Sequence, residues 1–128
     1  MTMMLRYRAG DYNLRVTEHF RVREFRCKDK TELVIIDSEL ADLLERIRCH
    51  FGRPLYITSA YRTPEHNKKV GGKPNSQHLQ GKAADFYVKG VDPIEVYHFC
   101  DTLIGNKGGV GKYPTFTHID TRGYKARW

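Results

Sequence analysis

Residues 62–81 form a polar stretch rich in Gly, Pro and Asn. It separates two runs that read as β-strands, PLYITS (54–59) and AADFYV (83–88). Within it, only residues 65–69 suggest a short helical turn. Structureless connections longer than about 12–15 residues are uncommon inside compact domains, and those that occur usually carry function. The chain has 128 residues, which suits one domain built around one core. The first expectation is therefore a functional loop held between two strands of that core.

The remaining elements follow from caps and periodicity. Asp37 and Ser38 are both good N-caps. Leu40, Leu43, Leu44, Ile47 and Phe51 then recur at helical spacing, and Gly52 can end the helix. Asp92-Pro93-Ile94-Glu95 reads as a second helix start: a cap, a proline at the first helical position and a glutamate closing a capping box. That helix is expected to run to about Ile104, with Gly105 terminating it. TFTHIDT (115–121) reads as a third strand. The first 36 residues read as short strands or irregular chain, with alternation in HFRVREF (19–25) and an apolar patch, LVII (33–36). The domain is expected to span 1–128, with 1–18 as a peripheral N-terminal extension.

Composition narrows the partners. Lys plus Arg total 22 against 15 Asp plus Glu, a formal charge of +7. Such a balance favours a polyanion: nucleic acid, an anionic envelope polymer or a membrane surface. Cys27, Cys49 and Cys100 are too few and too scattered for a disulfide framework and are expected to be free. No apolar run at the start is long enough for a signal peptide, and no stretch approaches a membrane span. The expectation is a soluble chain made in the cytoplasm.

KGGVGKYP (107–114) resembles a phosphate-binding loop, whose lysine is followed by a Ser or Thr that holds magnesium. Here Tyr113 and Pro114 follow Lys112. A phosphate loop also leaves a strand and enters a helix, whereas this run leaves the second helix and enters the third strand. The expected reading is a tight glycine connection at the rim of a site, with no nucleotide partner.

Side chains alternate between faces along a strand. Ala83, Asp85 and Tyr87 fall on one face of the second strand. Phe116, His118 and Asp120 fall on one face of the third. Unpaired His and Asp are poor occupants of a dry core. His78 precedes Asp85 by seven residues, in a loop that Gly81 lets fold back. His78, Asp85 and His118 could therefore converge as two imidazoles and a carboxylate. That is the donor set of a catalytic zinc, with a fourth position for a water whose pKa falls to about 7. His19 and His50 are expected at the surface. His98 sits on the second helix, and His66 lies in the polar loop without an obvious ligand partner.

Three stretches carry a resemblance: SAYRTPEHN (59–67), PNSQHLQGKAADF (74–86) and FTHIDTRG (116–123). In this order they resemble the zinc D-alanyl-D-alanine carboxypeptidase and endopeptidase family. The middle stretch matches its Ser-x-His-x6-Asp signature, HFRVREFRC (19–27) resembles its opening segment, and GGVGKYPTFTHID (108–120) resembles the approach to its last zinc ligand. The resemblance covers nearly the whole chain from His19 onward. It implies an α+β fold with helices packed on one side of a small antiparallel sheet and zinc on the exposed face. It also implies hydrolysis of peptide bonds in peptidoglycan stems, with one zinc per chain held by His78, Asp85 and His118. Arg62 matches an arginine that meets the substrate, and Ser76 and Gln77 match substrate-binding or loop-shaping positions.

One departure from the family pattern stands out. Many members carry a histidine two residues before the last ligand or an acid three before it. Here those positions are Phe116 and Thr115. Asp120, on the same strand face as His118, is then the remaining candidate for general base, or else a group that orients a ligand. The function implied is a monomeric zinc peptidase of the cell wall, its positive charge suited to anionic wall polymers. Without an export signal, it would reach the wall by another route, as a phage or prophage lysis enzyme or virion part does. The alternatives are a zinc-bearing wall-binding module without turnover and a basic nucleic-acid-binding domain.

Overall fold

The computed structural model describes residues 2–128. Strand β1 (Met4–Tyr7) pairs antiparallel with β2 (Val34–Asp37) in a two-stranded sheet, with Leu5 opposite Ile36. Residues 4–7, within the stretch read as a peripheral extension, are thus laddered to the strand that enters helix α1 (Ser38–Phe51). Asp37 caps that helix by accepting the Glu39 amide at 3.1 Å, and Gly52 ends it in the left-handed region at φ 61°. Leu40, Ala41, Leu44 and Ile47 form its buried stripe.

Strand β3 (Leu55–Ser59) leads into the polar loop, which carries α2 (Pro64–Lys69) and a 3₁₀ turn over Gln77–Gln80. Strand β4 (Ala83–Val88) and α3 (Pro93–Ile104) follow, the helix capped by Asp92 through the Ile94 amide. The chain ends in β5 (Gly109–Lys112), β6 (Thr117–Asp120) and β7 (Ala126–Arg127). These build a five-stranded sheet in the order β3-β4-β6-β5-β7.

Helices α1 and α3 pack on one face of this sheet. Between them lies the core: Ala84, Phe86 and Val88 of β4, Val110 of β5 and Ile119 of β6 against Leu44, Ile47, Val96 and Cys100. Burial raises the Cys100 thiol pKa to about 12, so the residue acts as a small apolar filler. The mixed α+β architecture and the two long helices match the sequence reading.

Three details differ from it. The sheet is not wholly antiparallel, because β7 pairs parallel with β5. Of the two forms expected for the HFRVREF segment, short strand or irregular chain, the strand is not found: Val22–Phe25 form a 3₁₀ turn, in which Val22 and Phe25 are buried together with neighbouring Phe20. Its apolar spacing belongs to a wrapped segment that fills the core with bulky side chains, so period two gave a false strand signal. The glycine run is not a connection either. It is strand β5 itself, paired along its length with β6.

Candidate metal centre

Strand register brings the polar side chains together. Asp85 of β4 lies opposite His118 of β6, and Gly111 of β5 lies on the other side of His118. One step along, Ala83, Asp120 and Gly109 form the next row. These rows occupy the sheet face away from α1 and α3, as strand alternation requires. His78 reaches the same place from the loop. Ser76 caps its 3₁₀ turn by accepting the His78 amide at 3.2 Å. Gly81 then reverses the chain at φ 71°, where a Cβ would also lie 2.4 Å from the Ile35 carbonyl. Both the left-handed backbone and this close approach demand glycine.

One ligand atom each from His78, Asp85 and His118 lies within 4.8 Å of the others. His118 Nδ1 is 2.9 Å from Asp85 Oδ1, and His78 Nε2 is 3.4 Å from Asp85 Oδ2. The far nitrogens are tied back. His78 Nδ1 donates to the Ala60 carbonyl at 2.7 Å, which leaves Nε2 as the bare nitrogen facing inward. His118 Nε2 donates to Asp120 Oδ2 at 2.8 Å, which commits Nδ1 to the group. Hydrogen bonds of this kind fix tautomer and ring orientation in metal sites.

Electrostatics agree with that arrangement. Burial pushes the Asp85 carboxyl up, but the hydrogen bonds and charge of His118 and His78 outweigh it and hold the group below the usual carboxylate range. For His118, burial favours the neutral ring, while Asp120 and Asp85 at its two nitrogens raise its pKa overall. The Asp85 carboxylate that favours positive charge at Nδ1 would also suit a divalent cation held by these residues, while Asp120 acts on the other nitrogen, Nε2. Two imidazoles and an ionised carboxylate, with outer nitrogens held, fit a zinc-type ion.

Asp120 is fully buried behind His118. Its Oδ1 accepts the Gly109 amide at 2.9 Å, and Arg122 clamps both oxygens at 2.8 and 2.7 Å. Burial raises the Asp120 pKa, but Arg122 and His118 overcome it, and the group is held ionised. The glycines of β5 now have a reason. A Cβ at Gly109 would lie 2.5 Å from Asp120 Oδ2, and one at Gly111 would lie 2.5 Å from the Trp128 indole nitrogen. The strand is glycine-rich because a carboxylate and an indole pack on it.

His78, Asp85 and His118 open into a cleft of about 600 Å³, lined also by Gly71, Gly72, Lys73 and Asn75 and by Tyr113, Arg122, Tyr124 and Trp128. Arg62 lines it too. Its Nε donates to Ser59 Oγ at 3.1 Å, its Nη1 donates to Asn67 Oδ1 at 3.3 Å, and its Nη2 stands 3.6 Å from Asp85 Oδ2. Ser76 and Gln77 also line the cleft. Of the expected site residues, only Asp120 is outside this lining. Arg122 and Trp128 had no assigned role in the sequence reading. Arg122 clamps Asp120, and Trp128 lies over His118 with ring centroids 4.9 Å apart. The Asp-x-Arg spacing of DTR could have flagged the clamp; nothing local marks Trp128.

Donors held in this way at the floor of an open cleft define a candidate mononuclear centre of the hydrolytic metalloenzyme type. The comparisons make the class specific. The chain belongs to the peptidase M15 family, whose family model matches residues 18–120. It is also similar to a probable peptidoglycan L,D-endopeptidase, MepK, of Haemophilus influenzae, with 38% identity over 68 residues. That match covers 52% of this chain and 36% of the relative, so the chain corresponds to about a third of the relative's length.

Proposed function

We propose that this chain is a zinc-dependent peptidase that hydrolyses peptide bonds of bacterial peptidoglycan, as a D-alanine carboxypeptidase or as an endopeptidase. The observation that carries the reading is the convergence of His78, Asp85 and His118 with both outer imidazole nitrogens already engaged. Membership of a peptidase family supports the reaction, and the relative's name supports the substrate class. Zinc, held by these three residues, would supply Lewis acidity and a water of lowered pKa.

The chain's own residues do the rest. Arg62, fixed by Ser59 and Asn67, presents its guanidinium beside Asp85 to negative charge that develops on the scissile carbonyl. Arg62, Lys73 and Arg122 give the cleft cations that suit the carboxylates of a stem peptide. Gln77 offers an amide to the peptide backbone, while Ser76 holds the His78 turn. Of the two roles considered for Asp120, its geometry favours orientation of His118, because its oxygens are spent on Gly109, Arg122 and His118. The net charge of +7 favours dwelling on an anionic wall as a monomer.

A second reading, a metal-bearing wall-binding module without turnover, has one observation in its favour. Among the described residues, no carboxylate or imidazole lines the cleft beyond the three ligands. Digestion of purified peptidoglycan with the zinc-loaded chain separates the two. Mass analysis is expected to show a cleaved stem peptide that disappears with a chelator or in His78→Ala, which also loses its zinc. Intact wall that nonetheless retains the protein would establish the binding module instead.

A further inference from the structure

A second group of metal-ligating atoms lies on the helix layer, away from the cleft. Glu45 and Cys49 are one helical turn apart on α1 and project from the same side. His19 meets them from the segment before the first core phenylalanine. His19 Nδ1 contacts Glu45 Oε2, and Cys49 Sγ lies 3.3 Å from that same oxygen. One ligand atom from each of the three lies within 4.8 Å of the others.

An ion pair between His19 and Glu45 would account for two of these residues. It does not account for how the carboxylate is held. Glu45 Oε1 accepts the Thr17 hydroxyl at 2.7 Å and the His19 amide at 2.8 Å. Both donors come from the segment, so Oε1 is occupied and Oε2 is presented to the imidazole and the sulfur. The segment is itself anchored: Val16 and Thr17 donate their amides to the Phe20 carbonyl, and Phe20 is buried in the core. The His19 backbone is therefore placed before any ion arrives. His19 and Cys49 are exposed, so a cation has open access and room for water as a further ligand.

We propose that His19, Glu45 and Cys49 form a second divalent-metal site, selective for a borderline-soft ion such as Zn²⁺ that accepts nitrogen, oxygen and sulfur together. The ion would clip the N-terminal segment to α1. This proposal does not depend on the chemistry of the cleft.

Sulfur makes it testable. The cleft group contains no cysteine, and Cys27 and Cys100 are buried. Metal-free full-length protein, kept reduced with a phosphine, is titrated with Co²⁺ and followed in the near ultraviolet, where thiolate-to-cobalt charge transfer absorbs. The expected result is a band saturating at one thiolate per chain and bleached by Zn²⁺. Cys49→Ser should abolish it. His19→Ala should weaken Co²⁺ binding at this site by about tenfold or more, since even outer-sphere partners cost that much. Both variants should keep the circular dichroism of the parent. No band in the parent, or a band surviving in Cys49→Ser, would overturn the site. An unchanged midpoint in His19→Ala would remove the imidazole from it and with it the proposed clip.

Discussion

On β4, Asp85 and Phe86 are chain neighbours on opposite faces of one strand. Phe86 is fully buried against α1 and α3 among apolar side chains. Asp85 looks into the cleft, where every partner is polar: His78, His118 and Arg62. The pattern repeats on β6, where Ile119 fills the core and His118 and Asp120 face the other way. The core face stabilises by removing apolar area from water. The cleft face keeps charged groups only partly hydrated and offsets that cost with hydrogen bonds and opposite charge. One strand can therefore serve stability and chemistry at adjacent positions, and the two should be separable by mutation.

The sharpest test is a pair of neighbours. Asp85→Ala is expected to lose tight zinc binding and drop wall hydrolysis to the level of a no-enzyme control. The metal-free chain should lose less stability than a core truncation does, because Asp85 faces the open cleft rather than the apolar core. Phe86→Ala should do the reverse, costing about 3–5 kcal/mol of stability while keeping metal and activity below its melting transition. Denaturant titration and metal analysis on both variants read the two effects. If Phe86→Ala released the metal while still folded, the faces would not be independent.

Arg62→Ala comes next. It should keep its zinc and lose hydrolysis by roughly 10²–10³-fold, the span for one donor to a developing oxyanion. A loss under about threefold would return Arg62 to loop support through Ser59 and Asn67.

Asp120→Asn asks how the cleft face holds itself together. An orienting Asp120 predicts metal affinity weaker by about 10–100-fold, with turnover recovered in excess zinc. Turnover still down by roughly 10²–10⁴-fold at saturating zinc would instead make Asp120 the base.

The smallest effect concerns a tether outside both faces. Asp29 accepts the Thr63 hydroxyl at 2.6 Å, and Thr63 caps α2 beside Arg62. Chiefly through that hydrogen bond, and against burial, the Asp29 carboxyl falls from 3.8 to about 2. Its folded pKa is depressed, so its contribution is full above pH 3.8 and is lost as pH falls towards 2. Asp29→Asn should flatten the acid limb of the stability profile over that window. A superimposable limb would remove Asp29 from the loop's support.

Legibility in the sequence followed locality. The caps of α1 and α3 and the alternation of β4 and β6 are local signals, and the structure repeats them. The placement of His78, Asp85 and His118 followed from alternation and one glycine turn. β5 was unreadable as a strand because Gly109 and Gly111 have no side chains to alternate. Its conformation comes from β6 and β7 on either side and from the space that Asp120 and Trp128 occupy. The Trp128 wall follows β7, which pairs parallel with β5, a long-range contact with no local pattern, whereas the Arg122 clamp on Asp120 spans only two residues. Val22–Phe25 misled because a 3₁₀ turn buried under the core can imitate a strand's alternation.

The register of β6 also bears on which kinds of genetic change this chain can absorb. Thr117–Asp120 is four residues long and is laddered on both edges, to β4 and to β5. Inserting or deleting one codon within it would turn His118 towards the helices and Ile119 into the cleft, since a one-residue slip exchanges the faces. Point changes can be tried one side chain at a time there, whereas a frame-preserving indel removes chemistry and packing in a single step. Length variation among relatives should therefore collect in segments such as 71–76, on the rim of the cleft, and leave β6 with a constant residue count.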